Sequence, residues 1–230
     1  MLFLKFKPPE RKIDSSTNIS MTLLKNLDQY LQALAPQVQH LDQARKEKLL
    51  PLVGYIRARI EEKSPVALNF ICTHNSRRSH LGQLWAKVAA HVHGVPDVST
   101  FSGGTEATAF NPRAVAALER AGFSIFNPGG ENPHYRLKYA DDVPDAVCFS
   151  KRYDDEANPS KDFAAIMTCT DADESCPVIP GATRISLPYR DPKEADDTPQ
   201  EAERYDERCR QLAIEMLYVF EQASGASAES

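Results

Sequence analysis

The chain has 230 residues, a hydrophobic fraction of 42% and a formal net charge of −5. That suffices for one real core and provides no basic face of the kind nucleic-acid binders carry. No run approaches the roughly 18 apolar residues of a membrane span. The opening MLFLKFKPPE is interrupted by Lys5 and lacks a small-residue cleavage site, so it makes a poor signal peptide and the expected location is cytoplasmic.

Residues 1–20 read as a flexible tail, with Pro8-Pro9 and an Asp14-to-Asn18 polar run that favour no regular element. Residues 21–63 have a helical period. Leu23, Leu24, Leu27, Leu31 and Leu34 mark one face and Leu49, Val53, Ile56 and Ile60 another, with Pro36 or Pro51 expected to separate the pieces. This predicts an N-terminal helical extension packed on a catalytic domain over 64–224. Within that domain, residues 66–71 suit a buried parallel strand ending at Cys72. A helix over 78–93 buries Leu81, Leu84, Trp85 and Val88. A strand at 98–101 is ended by Gly103-Gly104, and a helix over 112–121 is closed by Gly122. Strands at 146–149 and 163–167 flank a charged loop, 151–161. A strand at 183–187 and an amphipathic helix over 200–221 complete the chain. Alternating strands and helices predict an α/β fold with a doubly wound, four-stranded parallel sheet and Cys72 at the carboxyl end of its first strand, where ligands of such sheets sit.

The stretch Cys72-Thr73-His74-Asn75-Ser76-Arg77-Arg78-Ser79 reads C-x5-R-S between a strand and a helix. A loop of this length can turn successive N–H groups inward as an anion nest, and the following helix adds its positive end. Arg78 adds a planar fork for two oxygens of a tetrahedral oxyanion. All three favour the thiolate of Cys72, to which Ser79 can donate, while Asn75 is expected to hold the loop's shape. Thr73 to Arg78 together form the expected oxyanion-binding loop.

This strand, loop and helix resemble the low-molecular-weight protein tyrosine phosphatase superfamily. The resemblance covers roughly residues 66–222. It implies that Asp191, in Asp191-Pro192 before the final helix, is the general acid. The segment Met167-Thr-Cys169-Thr-Asp-Ala-Asp-Glu-Ser-Cys176-Pro177 is similar to the redox segment of the superfamily's thioredoxin-coupled arsenate reductases. The implied chemistry is a thiol relay from Cys72 to Cys169 to Cys176, with arsenate as substrate, thioredoxin as reductant, and no cofactor, metal, nucleic-acid or membrane partner. If residues 169–176 are helical, seven steps of about 1.5 Å hold the two cysteines about 10.5 Å apart, beyond the roughly 7 Å a disulfide tolerates. The segment must then loop out when oxidised, and its acidic residues suit a mobile, solvated loop.

The chain also departs from the reductase pattern. Arg77 stands where the branch usually has Cys or another small residue, and Gln83 where some reductases carry a potassium-binding Glu. Chains with an N-terminal helical extension of this kind are often described only as phosphatase-like. The alternative reading is a phosphatase for phosphotyrosine or another small phosphate ester, using the same loop. Against it, Lys193 and Glu194 follow Asp191-Pro192, where such phosphatases usually carry aromatics. His74 is expected to face solvent, Asn111 to support the loop, and Cys148, Cys209 and Trp85 to be core.

Overall fold

The computed structural model describes residues 22–225; the expected tail at 1–20 lies outside them. Two helices come first, α1 (Lys25–Gln39) and α2 (Gln43–Glu61). Neither proline separates them. Pro36 lies inside α1 and Pro51 inside α2. The break falls at residues 40–42, where the Asp42 side chain accepts from the Arg45 N–H at 2.9 Å and starts the second helix as a cap.

Strands β1 (Val66–Cys72), β2 (Val98–Gly104), β6 (Phe163–Met167) and β7 (Ala182–Ser186) form a parallel sheet in the order β2-β1-β6-β7. β2 runs on through Gly103-Gly104 rather than ending before them. α3 (Arg78–Val92) connects β1 to β2, α4 (Pro112–Arg120) follows β2, and α6 (Glu201–Ala223) closes the domain. Residues 146–148 belong to a different sheet. With β3 (Ser124–Phe126) and β4 (Tyr135–Lys138), β5 (Ala146–Cys148) makes a separate antiparallel sheet, and the first two of these strands have no counterpart in the sequence reading. α5 (Thr170–Ser175) connects β6 to β7, where a solvated loop is expected.

The two central strands, β1 and β6, bury both faces, and their alternation sorts the core into two parts. Leu68, Phe70, Ala164 and Ile166 point into the large cluster, which includes Leu27, Leu31, Leu49 and Ile56 of the extension, Leu81 and Trp85 of α3, and Leu212 and Phe220 of α6. Ile71, Phe163, Ala165 and Met167 point the other way, into a small cluster with Cys72, Cys169, Ala172 and Cys176. The extension is joined to the domain by backbone as well. The Leu24 N–H donates to the Tyr139 carbonyl at 3.0 Å, and Gly122, at φ +106°, leaves no room for a Cβ against the Leu27 N–H. No helix among the described residues is long and apolar enough to cross a membrane.

Candidate active site

In the sheet order the chain leaves β1 toward β2 on one side and β6 toward β7 on the other. The crevice of an open α/β sheet lies at this reversal, above the carboxyl ends of the strands. β1 ends there in Cys72, and Cys169 follows β6 beside it.

Cys72 is 3% exposed, and its Sγ lies 3.1 Å from Ser79 Oγ. Asn75 Nδ2 donates to that same Oγ at 2.9 Å, which leaves the Ser79 hydroxyl proton for the sulfur. Asn75 itself stands at φ +44°, in the left-handed region asparagine tolerates better than most residues. Its Oδ1 accepts from the Lys151 N–H at 2.8 Å, so a buried amide pins the loop from within. The loop's carbonyls are turned outward and bonded. Cys72 O accepts from the Thr105 N–H (3.2 Å), Thr73 O from Glu106 (2.8 Å) and Ser76 O from Asn111 (2.8 Å). Among the described residues none of these bonds uses an N–H of residues 73–77 as donor. The α3 N-terminus likewise has no side-chain cap. Outward carbonyls and uncommitted amides at a helix start are the elements of an anion nest. Gly104 permits the arrangement, since a Cβ there would stand 2.6 Å from the Asn75 nitrogen and 2.7 Å from the Thr73 carbonyl oxygen.

Arg78 donates through Nη2 to Asp191 Oδ2 at 2.6 Å and through Nη1 to the Tyr189 carbonyl at 3.0 Å. Its Nε is buried without a partner. Asp191 caps a short 3-10 turn, Pro192–Ala195, accepting from the Lys193 N–H at 3.0 Å. The candidate acid, the candidate anion-binding fork and the candidate nucleophile's loop are thus in one place. Arg77 is in the loop by its backbone, but its side chain turns away. Its Nε donates to the Tyr205 hydroxyl at 3.0 Å, and Nη2 lies 3.8 Å from Asp196, which also accepts from that hydroxyl at 2.8 Å. Arg77 therefore ties the loop to α6 and to the segment just after the Asp191 turn.

Cys72, Cys169 and Cys176 are all free and all buried, in the same small cluster. Thr73 Oγ1 lies 3.5 Å from Cys169 Sγ. The Thr168 N–H and hydroxyl both bond the Ile71 carbonyl, at 2.7 and 2.8 Å, holding the start of the Cys169–Cys176 segment against the end of β1. Cys169 is the N-cap of α5 and Cys176 its C-cap. Burial pushes the Cys176 thiol up, with Arg184 pulling it back. Cys148 and Cys209 are fully buried and pushed up to about 12 by burial, which makes them inert core thiols. Trp85, 1% exposed, is core as well.

The His74 side chain is half exposed and 3.6 Å from Glu106. Ser76 Oγ donates to the Ala109 carbonyl at 2.7 Å. Asn111 supports the loop with its backbone N–H, while its side chain caps α4. Sequence reasoning missed four residues that build the site: Ser150, whose hydroxyl donates to the His74 carbonyl at 3.0 Å, Lys151, Tyr189 and Arg184. The run after β5, which reads only as charged, is the outer wall of the nucleophile loop. Nothing in its spacing marks it, because its partners are far away in sequence.

No protein-family model matches the chain. Among curated proteins it is similar to an arsenate reductase of Staphylococcus epidermidis, 27% identical over 115 residues that are 50% of this chain and 69% of that one. It is 28% identical to an arsenate reductase of Bacillus licheniformis over 148 residues, 64% of this chain and 88% of that one. Among solved structures, the YwlE arginine phosphatase of Geobacillus stearothermophilus superposes with a TM-score of 0.45 and 14% identity, covering 72% of this chain and 97% of that one. A thioredoxin-dependent arsenate reductase of Corynebacterium glutamicum does so with a TM-score of 0.35 and 19% identity, covering 83% and 95%.

Proposed function

We propose, from the premise that this chain belongs to the arsenate reductase-like branch of the low-molecular-weight protein tyrosine phosphatase superfamily, that it reduces arsenate to arsenite through a relay of Cys72, Cys169 and Cys176. The observation that carries the reading is the enclosure of these three free thiols, and no other cysteine, in one small cluster beside the oxyanion loop. A hydrolase using the same loop needs only the first of them.

In this mechanism the loop amides and the Arg78 guanidinium hold the arsenate oxygens, and the Cys72 thiolate attacks arsenic. Asp191 protonates the departing hydroxide, which leaves as water. The Cys169 thiolate then attacks Cys72 Sγ. The sulfur–arsenic bonding pair passes to arsenic, arsenite departs, and a Cys72–Cys169 disulfide remains. Cys176 attacks Cys169 Sγ and releases the Cys72 thiolate. A dithiol protein of the thioredoxin kind reduces the resulting Cys169–Cys176 disulfide. Ser79 supports the Cys72 thiolate, and Thr73 to Ser76 supply the nest. Arg77 acts by fixing the loop to α6 and the Asp191 segment rather than by reaching the anion with its side chain.

The test is arsenate-dependent NADPH consumption coupled through thioredoxin and its reductase, measured beside aryl phosphate hydrolysis. The reductase reading expects sustained turnover with arsenate. Hydrolysis of the ester with no arsenate turnover would instead favour a cysteine-based phosphatase, which Cys72, Arg78 and Asp191 could serve on their own.

A further inference from the structure

Side chains of β7 brace α5. Arg184 reaches across from β7, donating through Nε to Asp173 Oδ1 at 3.1 Å and through Nη1 to the Cys176 carbonyl at 3.1 Å. It also bonds the carbonyls of Pro177 (3.5 Å), Ala172 (3.4 Å) and Asp173. Two residues on along the strand, the Ser186 hydroxyl donates to the other Asp173 oxygen. The last carbonyls of a helix have no partner within it, and a helix this short has too few propagating residues to offset its nucleation. The bonds from β7 supply what the segment's own backbone cannot. They are made here in the dithiol form, in which capping opposite ends of α5 keeps Cys169 and Cys176 about 10 Å apart by helical rise.

We propose that Arg184 is a positioning residue that latches α5 in its helical, dithiol state and so sets the reduction potential of the Cys169–Cys176 couple. The proposal rests on the relay reading. When Cys176 attacks Cys169, the Cys72–Cys169 bond breaks, its electron pair leaves on Cys72, and the new disulfide forms within the chain with no outside oxidant. α5 must unwind for that bond to close, and Arg184 must release the carbonyls. A dithiol reductant then supplies two electrons and two protons, the helix reforms and the latch re-engages. Arg184 thus makes the disulfide a better electron acceptor, driving the step that returns the enzyme to its starting state. It also faces Cys176 directly, favouring that thiolate against the effect of burial.

The couple is isolated in the Cys72→Ser protein and equilibrated against dithiothreitol redox buffers, with the oxidised fraction read by mass after alkylation. Arg184→Ala is expected to raise the equilibrium constant for oxidation at least tenfold, a potential about 30 mV more negative for a two-electron couple. Arg184→Lys, which keeps the charge and loses the fork, falls between. Asp173→Asn and Ser186→Ala shift in the same direction, and decide the matter if Arg184→Ala does not fold. Parent-like potentials in the folded variants would overturn the latch and leave the relay standing. If no Cys169–Cys176 disulfide forms at any poise, the relay falls and the latch with it.

Discussion

Among the described residues the Cys72 sulfur is approached by one hydroxyl, and that hydroxyl is oriented by Asn75, so three buried side chains fix the surroundings of the candidate nucleophile. On the proposed mechanism, in which Cys72 attacks as a thiolate, removing the Ser79 hydroxyl takes away a hydrogen bond to a charged group, worth about 1.5–3 kcal/mol. Ser79→Ala is therefore expected to slow single-turnover attack roughly 10- to 100-fold, with unfolding by urea less affected than the rate. A parent-like rate would mean that the loop amides alone support the thiolate. The candidate residues that the structure brings together were legible from residue types: Cys72, Arg78 and Ser79 stand at fixed offsets between a strand and a helix, and Asp191 precedes a proline. Arg77 was legible only as a loop member. Its side chain is directed by Tyr205 and Asp196, more than a hundred residues away, and no local spacing encodes such a contact. Arg184 was hidden for the same reason, as one charged residue in an otherwise ordinary strand.

Among the elements, the helical extension is tied to the site by charge as well as by packing. Arg45, in α2, makes a two-pronged contact with Glu215 of α6, 2.7 Å for each bond, and its guanidinium lies 4.7 Å from the centre of the Tyr189 ring. Tyr189 donates its hydroxyl to the same Glu215 at 2.7 Å, while its carbonyl accepts from Arg78. Burial and the neighbouring carboxylate push the Tyr189 phenol well above its ordinary value, so it remains a donor. The chain of contacts runs from the extension through Tyr189 to Arg78, the candidate anion-binding arginine. Arg45→Leu leaves Glu215, 1% exposed, a buried carboxylate without its ion-pair partner, and is expected to cost about 3–5 kcal/mol of stability in urea unfolding. Arg45→Leu combined with Glu215→Leu should recover most of it. A loss below about 1 kcal/mol in the single variant would show that this pair behaves as a surface contact. The leucine period announced these helices correctly, but the prolines misled. Leu49, Leu52, Val53 and Ile56 are all buried around Pro51, and that packing outweighs the helix bond a proline forgoes. The small antiparallel sheet escaped notice because its strands, three or four residues long, are too short to display an alternation.

Taken as a whole, the molecule places nearly all its apolar mass on one face of the parallel sheet and the clustered thiols Cys72, Cys169 and Cys176 on the other. The side of the nucleophile loop away from that chemistry includes His80, fully buried, stacked on Phe110 at 4.0 Å and bonded to Ser102 at 3.1 Å. Burial, with Lys151 nearby, pushes its pKa from 6.5 down to about 3. The native imidazole is therefore neutral while the unfolded one binds a proton, so its contribution is fully present above pH 6.5 and declines as pH falls toward 3. Between pH 6 and pH 4 this site alone should remove about 1.4 kcal/mol of stability per pH unit. Urea unfolding of His80→Gln against the parent should show their difference changing by that slope, since the carboxylates common to both cancel. Parallel curves would mean that His80 is charged in the native state. The central claim, that the small cluster is a working relay, is tested most directly by mass spectrometry of Cys176→Ser after arsenate is added with thioredoxin as the reductant. The account predicts a stall after about one turnover with Cys72 joined to Cys169, because no third thiol remains to free the nucleophile, while aryl phosphate hydrolysis continues. Sustained arsenate turnover at the parent rate, with no Cys72–Cys169 disulfide, would contradict it.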